Sequence, residues 1–238
     1  MKWPAKADSR ALMASLFLVG LHTLHDAAAS DEPIRNARHH PAQRSTIRPD
    51  ADDNALQKAY RDLSQGELSQ AQTEYQAVLT RRPHEKDALL GLAVIYQRRQ
   101  QTERAARLYR QVLNENMGNA TAAAGLISLS MPADPVAAES QLRELLDILP
   151  SSPELQYALG SALAFQQRIS EARQAFYIAF SLAPDNALYA YNLAVSLDRL
   201  HQPDAALPYY EKSLKLSQPE DGMLDLKAVR RRIRELKK

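Results

Sequence analysis

The sequence predicts an all-α protein, an α-solenoid of about five stacked helix pairs closed by a C-terminal capping helix. Three observations predict it. From residue 52 onward, apolar residues fall at helical spacing among Ala, Leu, Gln, Arg and Glu, all good helix formers. Ala71, Ala105, Ala138, Ala172 and Ala206 recur 34, 33, 34 and 34 residues apart, a period that marks stacked repeats. Only 7 glycines occur in 238 residues, so few turns need positive φ, as expected of helices joined by short loops.

Composition excludes several classes of function. Hydrophobic residues make up 45% and charged residues 24%, as in ordinary soluble domains. A net charge of +2 speaks against a dedicated nucleic-acid binder, which carries a clear basic excess. The absence of cysteine removes disulfides, thiolate metal sites, cysteine nucleophiles and every cysteine-borne lipid anchor.

Residues 1–29 read as an export signal. Lys2, Lys6 and Arg10 give a positive start, and residues 11–21 (ALMASLFLVGL) are uncharged. Ala27-Ala28-Ala29 then precedes Ser30, which places cleavage between Ala29 and Ser30. The alternative is an uncleaved anchor that associates the chain with a membrane. A spanning helix needs about 20 apolar residues, and here His22, His25 and Asp26 end the run early. Residues 30–51 are polar with three prolines up to Pro49 and read as a disordered linker. His39-His40 within it is a weak metal signal, because a closed site needs about four ligands in fixed geometry.

Residues 52–220 divide into units 52–85, 86–118, 119–152, 153–186 and 187–220. Each unit holds a helix A, a turn and a helix B. The marker alanine of helix B is followed four residues later by Tyr75, Tyr109, Leu142, Phe176 or Tyr210, on the same helical face. Proline ends the unit at Pro83, Pro150 and Pro184, since it cannot continue the backbone ladder. The third unit fits worst. It is one residue short, and its turn holds Met131-Pro132-Ala133-Asp134-Pro135. Pro135 suits the first helical turn after an Asp134 cap. Residues 221–238 read as a basic capping helix with an apolar stripe of Leu224, Val229, Ile233 and Leu236. Its basic face has two readings: a contact for anionic lipid or a partner, or a solvated face whose cations suit a helix C-terminus.

This period and pattern resemble the tetratricopeptide repeat family. The family's eighth position, usually small, is matched to Ala59, Ala93, Leu126, Gly160 and Ala194, and the bulky residue before it to Leu92, Leu159 and Leu193, with Lys58 and Gly125 as departures. The resemblance covers roughly residues 52–220. It implies a protein-interaction scaffold that holds a peptide or helix in a concave groove lined by helices A. By the family's groove positions, the residues implied are Leu90, Val94, Arg98, Ile127, Tyr157, Ser161, Tyr191, Asn192, Val195 and Arg199. Chaperone-binding members hold a carboxylate with a clamp of Lys, Asn and Arg. Only Asn192 fits that clamp; Tyr157, Ser161, Gly222 and Leu226 stand at the other positions, so the clamp is absent.

No Gly-rich phosphate loop, H-E-x-x-H or G-x-S-x-G motif occurs in the sequence, so an enzyme, a cofactor and a metal are not expected. The stretch from Ala175 to Leu214 is similar to the repeat regions of exported bacterial proteins associated with pilus biogenesis and secretion. That similarity implies an envelope scaffold facing the periplasm, with a protein or peptide partner. Two alternatives remain open: a soluble periplasmic adaptor that regulates a cell-wall enzyme, and an inner-membrane-anchored form. Pairing of solenoid ends into a homodimer is also open.

Overall fold

The computed structural model describes residues 51–217 and 224–238. The export signal, the Ala29–Ser30 junction, nearly all of the linker and Gly222 lie outside the described residues. Among those described there are eleven helices and no strand. The A and B helices pair as α1 (Ala51–Ser64) with α2 (Leu68–Arg81), and α3 (Lys86–Arg98) with α4 (Thr102–Glu115). Then follow α5 (Ala120–Ser130) with α6 (Pro135–Ile148), α7 (Pro153–Phe165) with α8 (Ile169–Leu182), and α9 (Ala187–Arg199) with α10 (Pro203–Leu216). The cap is α11 (Leu226–Leu236).

Helix α1 starts one residue inside the stretch read as linker. Asp52 is buried in its first turn, where a carboxylate suits the helix dipole. It accepts a hydrogen bond from Arg81 Nε at 2.6 Å and faces Arg82 Nε at 3.3 Å.

The A-to-B turns of four units end helix A in the same way. The residue after the last helical turn takes a left-handed conformation: Gly66 (φ 81°), Gln100 (60°), Gln167 (62°) and His201 (57°). The next N–H then reaches back five residues, Glu67 to Asp62 O, Gln101 to Tyr96 O, Arg168 to Leu163 O and Gln202 to Leu197 O, at 2.8–3.0 Å. This is the Schellman closure, which satisfies carbonyls that the helix end leaves open.

The third unit does not close this way. Ala133 and Asp134 both donate to Ser130 O, at 3.0 and 3.1 Å. Asp134 then caps α6 by accepting from Ala137 N at 2.9 Å, with Pro135 at its start. Helices α5 and α6 are the most loosely packed pair of any unit. The missing residue falls in this turn, so the register before it differs from the one read in sequence. Gly125 sits against the Tyr109 ring, where a Cβ would overlap the ring carbons; it holds the place of Gly91, two before Ala93, so the eighth position of this unit falls to Ile127 and not Leu126. Gly91 makes the same close approach to Tyr75 of the preceding helix B, whereas Gly160, at the eighth position, meets Phe176 of its own helix B. Leu126 is half-buried beside Gly125.

The apolar core falls into three clusters. One joins units one and two through Ala59, Tyr75 and Ile95. A second joins units two and three through Leu89, Tyr109 and Ala122. The third is continuous from Ala124 to Ile233 and includes Tyr157, Phe176, Tyr189 and Tyr210. Stacking buries what no single pair can bury alone, so stability is shared between neighbouring units.

Candidate partner-binding surface

Helices A carry apolar residues almost all round. In α3, residues 88–95 are buried without a break, and in α7 residues 154–155 and 157–164 are buried. A helix that is apolar on every side is enclosed by its neighbours. After α1, each helix A packs on its own helix B and the preceding one, and α1, α3, α5 and α7 also touch in succession.

This enclosure sorts the ten groove residues into two groups. Leu90, Val94, Ile127, Tyr157, Ser161 and Asn192 are buried within the chain's own packing. Arg98, Tyr191, Val195 and Arg199 are half-buried and keep contact with solvent. Tyr157 shows why the trough is filled. Its ring lies 5.1 Å from Tyr189 and 5.7 Å from Phe176, so adjacent A helices interlock through aromatic rings. Burial pushes its phenol well above the ordinary range, against the opposing hydrogen bonds of Ser161 and Asn192. Tyr157 therefore stays neutral, and its hydroxyl lies 3.4 Å from Asn192 Nδ2.

Asn192 is a hub of this packing. Its Nδ2 also donates to Leu188 O at 2.9 Å, one helical turn back. Ser161 Oγ does the same to Tyr157 O at 2.9 Å. Both polar groups are satisfied within the chain, as buried polar groups normally are.

Of the four residues that keep contact with solvent, three, Tyr191, Val195 and Arg199, lie at the C-terminal end on α9. A shallow depression between α7, α8 and α9 is lined by Ala164, Ile169, Ala172, Phe176, Asn192, Val195, Ser196 and Arg199. Tyr191 continues the same face of α9, with its ring 6.1 Å from Tyr210 in an edge-on arrangement. Arg199 Nη2 donates to Gln167 Oε1 at 2.6 Å, which ties the fifth unit to the turn of the fourth. Arg98 makes the matching tie three units earlier, donating from Nη1 to Leu63 O at 3.0 Å. Burial lowers the Arg98 guanidinium from its ordinary value, and its Nη2 has no hydrogen-bond partner.

The third unit is tied to the fourth through Glu139, which is 8% exposed. It accepts from Arg143 Nε (2.9 Å), Gln166 Nε2 (2.7 Å) and Arg168 Nη1 (2.6 Å). Burial pushes its carboxyl up, but these hydrogen bonds and the charges of Arg168 and Arg143 win and hold it below the ordinary range. Among the described residues, no group of three or more His, Asp or Glu comes together in a way that could hold a metal ion. None of the described helices is long and apolar enough to cross a membrane. Of the positions that failed the carboxylate clamp in sequence, Leu226 is half-buried at the start of α11.

Two family models described as tetratricopeptide repeat match residues 62–130 and 157–221, together more than half of the chain. No curated protein matches by sequence. Among solved structures, a thermophilic repeat protein of Thermus thermophilus, TTC0263, aligns at 19% identity and a TM-score of 0.63, covering 78% of this chain and 98% of that one. At that identity the likeness concerns the fold alone. YrrB, described as a repeat protein with an unusual peptide-binding site, aligns at 21% identity and a TM-score of 0.43, covering 74% and 90%. MamA from Desulfovibrio magneticus RS-1 aligns at 17% and 0.42, covering 70% and 95%.

Proposed function

Because the chain belongs to the tetratricopeptide repeat family, we propose that it is a non-enzymatic protein–protein interaction scaffold that takes a peptide or helix of its partner at the C-terminal end of the A-helix surface. The observation that carries this reading is the uneven closure of that surface. Toward the N-terminus, Arg98 apart, it is filled by side chains of the chain itself. Around Val195, Arg199 and Tyr191 it remains open, with apolar walls and one guanidinium. Such a lining suits a segment whose apolar side chains dock while a polar or acidic group meets Arg199.

The exported setting is part of the proposal. The apolar run 11–21 and the A-x-A sequence before Ser30 support it. We place the protein in the cell envelope, facing the periplasm, in the assembly of an envelope structure such as a pilus or secretion apparatus.

Two measurements test the reading. Photo-crosslinking from position 195 should join the protein to a partner segment, and Tyr191→Ala with Arg199→Ala should abolish the product. A double variant that keeps every partner of the wild type defeats the proposed surface. Terminal sequencing of the exported protein should begin at Ser30. An intact Met1 in the membrane fraction would show an anchor instead.

A further inference from the structure

The outward face of α11 carries a strip of cations that the fold does not use. Lys227, Arg230, Arg231 and Arg234 are all exposed. At about 100° per residue they share an arc of about 100° and a length of about 10 Å. They are spaced three and four residues apart, so each has like-charged neighbours on its own face, which destabilises a helix. Among the described residues, no carboxylate lies within ion-pair distance of any of the four. The carboxylates near this helix are engaged elsewhere: Asp198 and Glu235 with Arg232, and Glu211 with Lys237.

The helix dipole does not account for the strip. Cations suit the last turn of a helix, where Arg234 sits, with Lys237 as the C-cap. Lys227, Arg230 and Arg231 lie in the first half of α11, where the dipole favours anions. Asp225, the N-cap, accepts from the N–H groups of Lys227 and Ala228 at 3.0 Å and already meets that preference.

We propose that this strip docks the end of the solenoid onto an anionic lipid bilayer by charge alone. The apolar side of α11 is not available for insertion, because Val229 and Ile233 are buried against the array. A protein partner would need an apolar or aromatic anchor at the centre of its contact. The exposed positions of α11 are all charged: Lys227, Arg230, Arg231, Arg234 and Glu235. A convex row of point charges without a pocket matches a broad, diffuse field of phosphates. With a net charge of only +2 for the whole chain, the contact is oriented. The array would stand with its C-terminal end on the membrane.

The test is flotation of the full-length chain with phosphatidylcholine vesicles, with and without about one-third phosphatidylglycerol. Binding should require the anionic lipid and weaken steeply by about 0.5 M salt. The variant R230Q/R231Q/R234Q should bind roughly 100-fold more weakly, with a Tm no lower than that of the wild type. The variant R230K/R231K/R234K should bind as the wild type does, since charge and not fork geometry makes the contact. Equal binding to neutral and anionic vesicles, or undiminished binding by the glutamine variant, overturns the proposal. So does loss of binding in the lysine variant, or tighter binding to duplex DNA than to vesicles.

Discussion

Units two and five solve one packing problem in two ways. Each buries a tyrosine on helix B against the end of its helix A, and a phenol hydroxyl there needs an acceptor. In unit two, Tyr109 donates to Gln97 Oε1 at 2.9 Å, and Gln97 Nε2 donates onward to Ser128 Oγ of the next unit at 3.1 Å. In unit five, Tyr210 donates to Asp198 Oδ2 at 3.1 Å. Arg232 of the cap grips both oxygens of Asp198, from Nε at 2.7 Å and Nη2 at 2.6 Å. The slot is twelve residues before the tyrosine in both. The residue in it answers the ring and also reaches the following helix. The amide gives a neutral tie between two ordinary units, and the carboxylate gives a bidentate charged tie that fixes the cap.

The largest expected effect comes from breaking the charged tie. Asp198→Ala leaves Tyr210 without an acceptor and Arg232 without its main partner. Arg232 is 29% exposed along its side chain, so the cost is about 3 kcal/mol, the lower end for a broken buried pair. Gln97→Ala removes a neutral tie and should cost about 1–2 kcal/mol. Solenoids need not unfold in one step, so native-state hydrogen exchange is the fitting measurement. Asp198→Ala should release the amides of α11 before those of α9. Equal protection of α11 in both proteins would show that apolar docking through Val229 and Ile233 holds the cap without the charge.

Glu139 supplies a second charged tie, between units three and four, and it can be switched by pH. Its carboxyl is held below the ordinary range in the folded chain, so the folded state binds fewer protons than the unfolded one as pH falls past about 4.3. Its contribution is therefore fully present above that pH and is lost as pH drops through the folded value. Glu139→Gln should lower the Tm at pH 6, and the gap from wild type should close toward pH 3. The amide tie at Gln97 has no charge to lose, so a Gln97→Ala gap should stay nearly constant over the same range. A Glu139→Gln gap that persists at pH 3 would assign its effect to packing.

Much of this is legible in the amino-acid sequence. The 34-residue period, the helix pairs and the Asp134-Pro135 start of α6 follow from local signals, because capping residues and proline act on their own turn. The slot is readable too, in a pattern that periodicity alone does not display. Tyr109 and Tyr210 each have a polar residue twelve positions before them, whereas Phe176 has Ala164. How far the A helices close on each other is not readable in this way. The family's positions imply ten groove residues, yet side-chain volume between neighbouring units decides which of them see solvent. Tyr157 and Tyr189 fill that volume, and their meeting depends on an inter-helix distance that no single segment encodes. The register of unit three is hidden for a related reason. A one-residue deletion can sit anywhere in a unit until the Tyr109 ring shows that Gly125 faces it.

The turns allow a smaller test of how the units differ. Gln100, Gln167 and His201 hold a left-handed conformation that Gly66 adopts at the equivalent place in unit one. A side chain there costs roughly 1 kcal/mol that glycine avoids, partly offset by the greater freedom of glycine in the unfolded chain. Gln100→Gly should therefore raise stability by about 0.5 kcal/mol in urea unfolding, and Gly66→Ala should lower it by about 1 kcal/mol. No atom lies within 4 Å of a Cβ built on Gly66, so any loss there is conformational.

The smallest expected effect is the sharpest test of the slot. Unit one has Tyr75 in the ring position and Leu63 in the slot, and the Tyr75 hydroxyl is buried without a partner. Burial pushes this phenol above its ordinary range, so it remains a neutral donor with nothing to receive its proton. Removing an unsatisfied hydroxyl should cost nothing. Tyr75→Phe is expected to be neutral or to stabilise by up to about 1 kcal/mol, while Tyr109→Phe and Tyr210→Phe should each cost about 1 kcal/mol. Leu63→Gln, which recreates the pairing of unit two, should reverse the sign of Tyr75→Phe when the two are combined. If Tyr75→Phe destabilises as much as Tyr109→Phe does, the slot residue is not what satisfies the ring, and the contrast between units two and five reduces to packing.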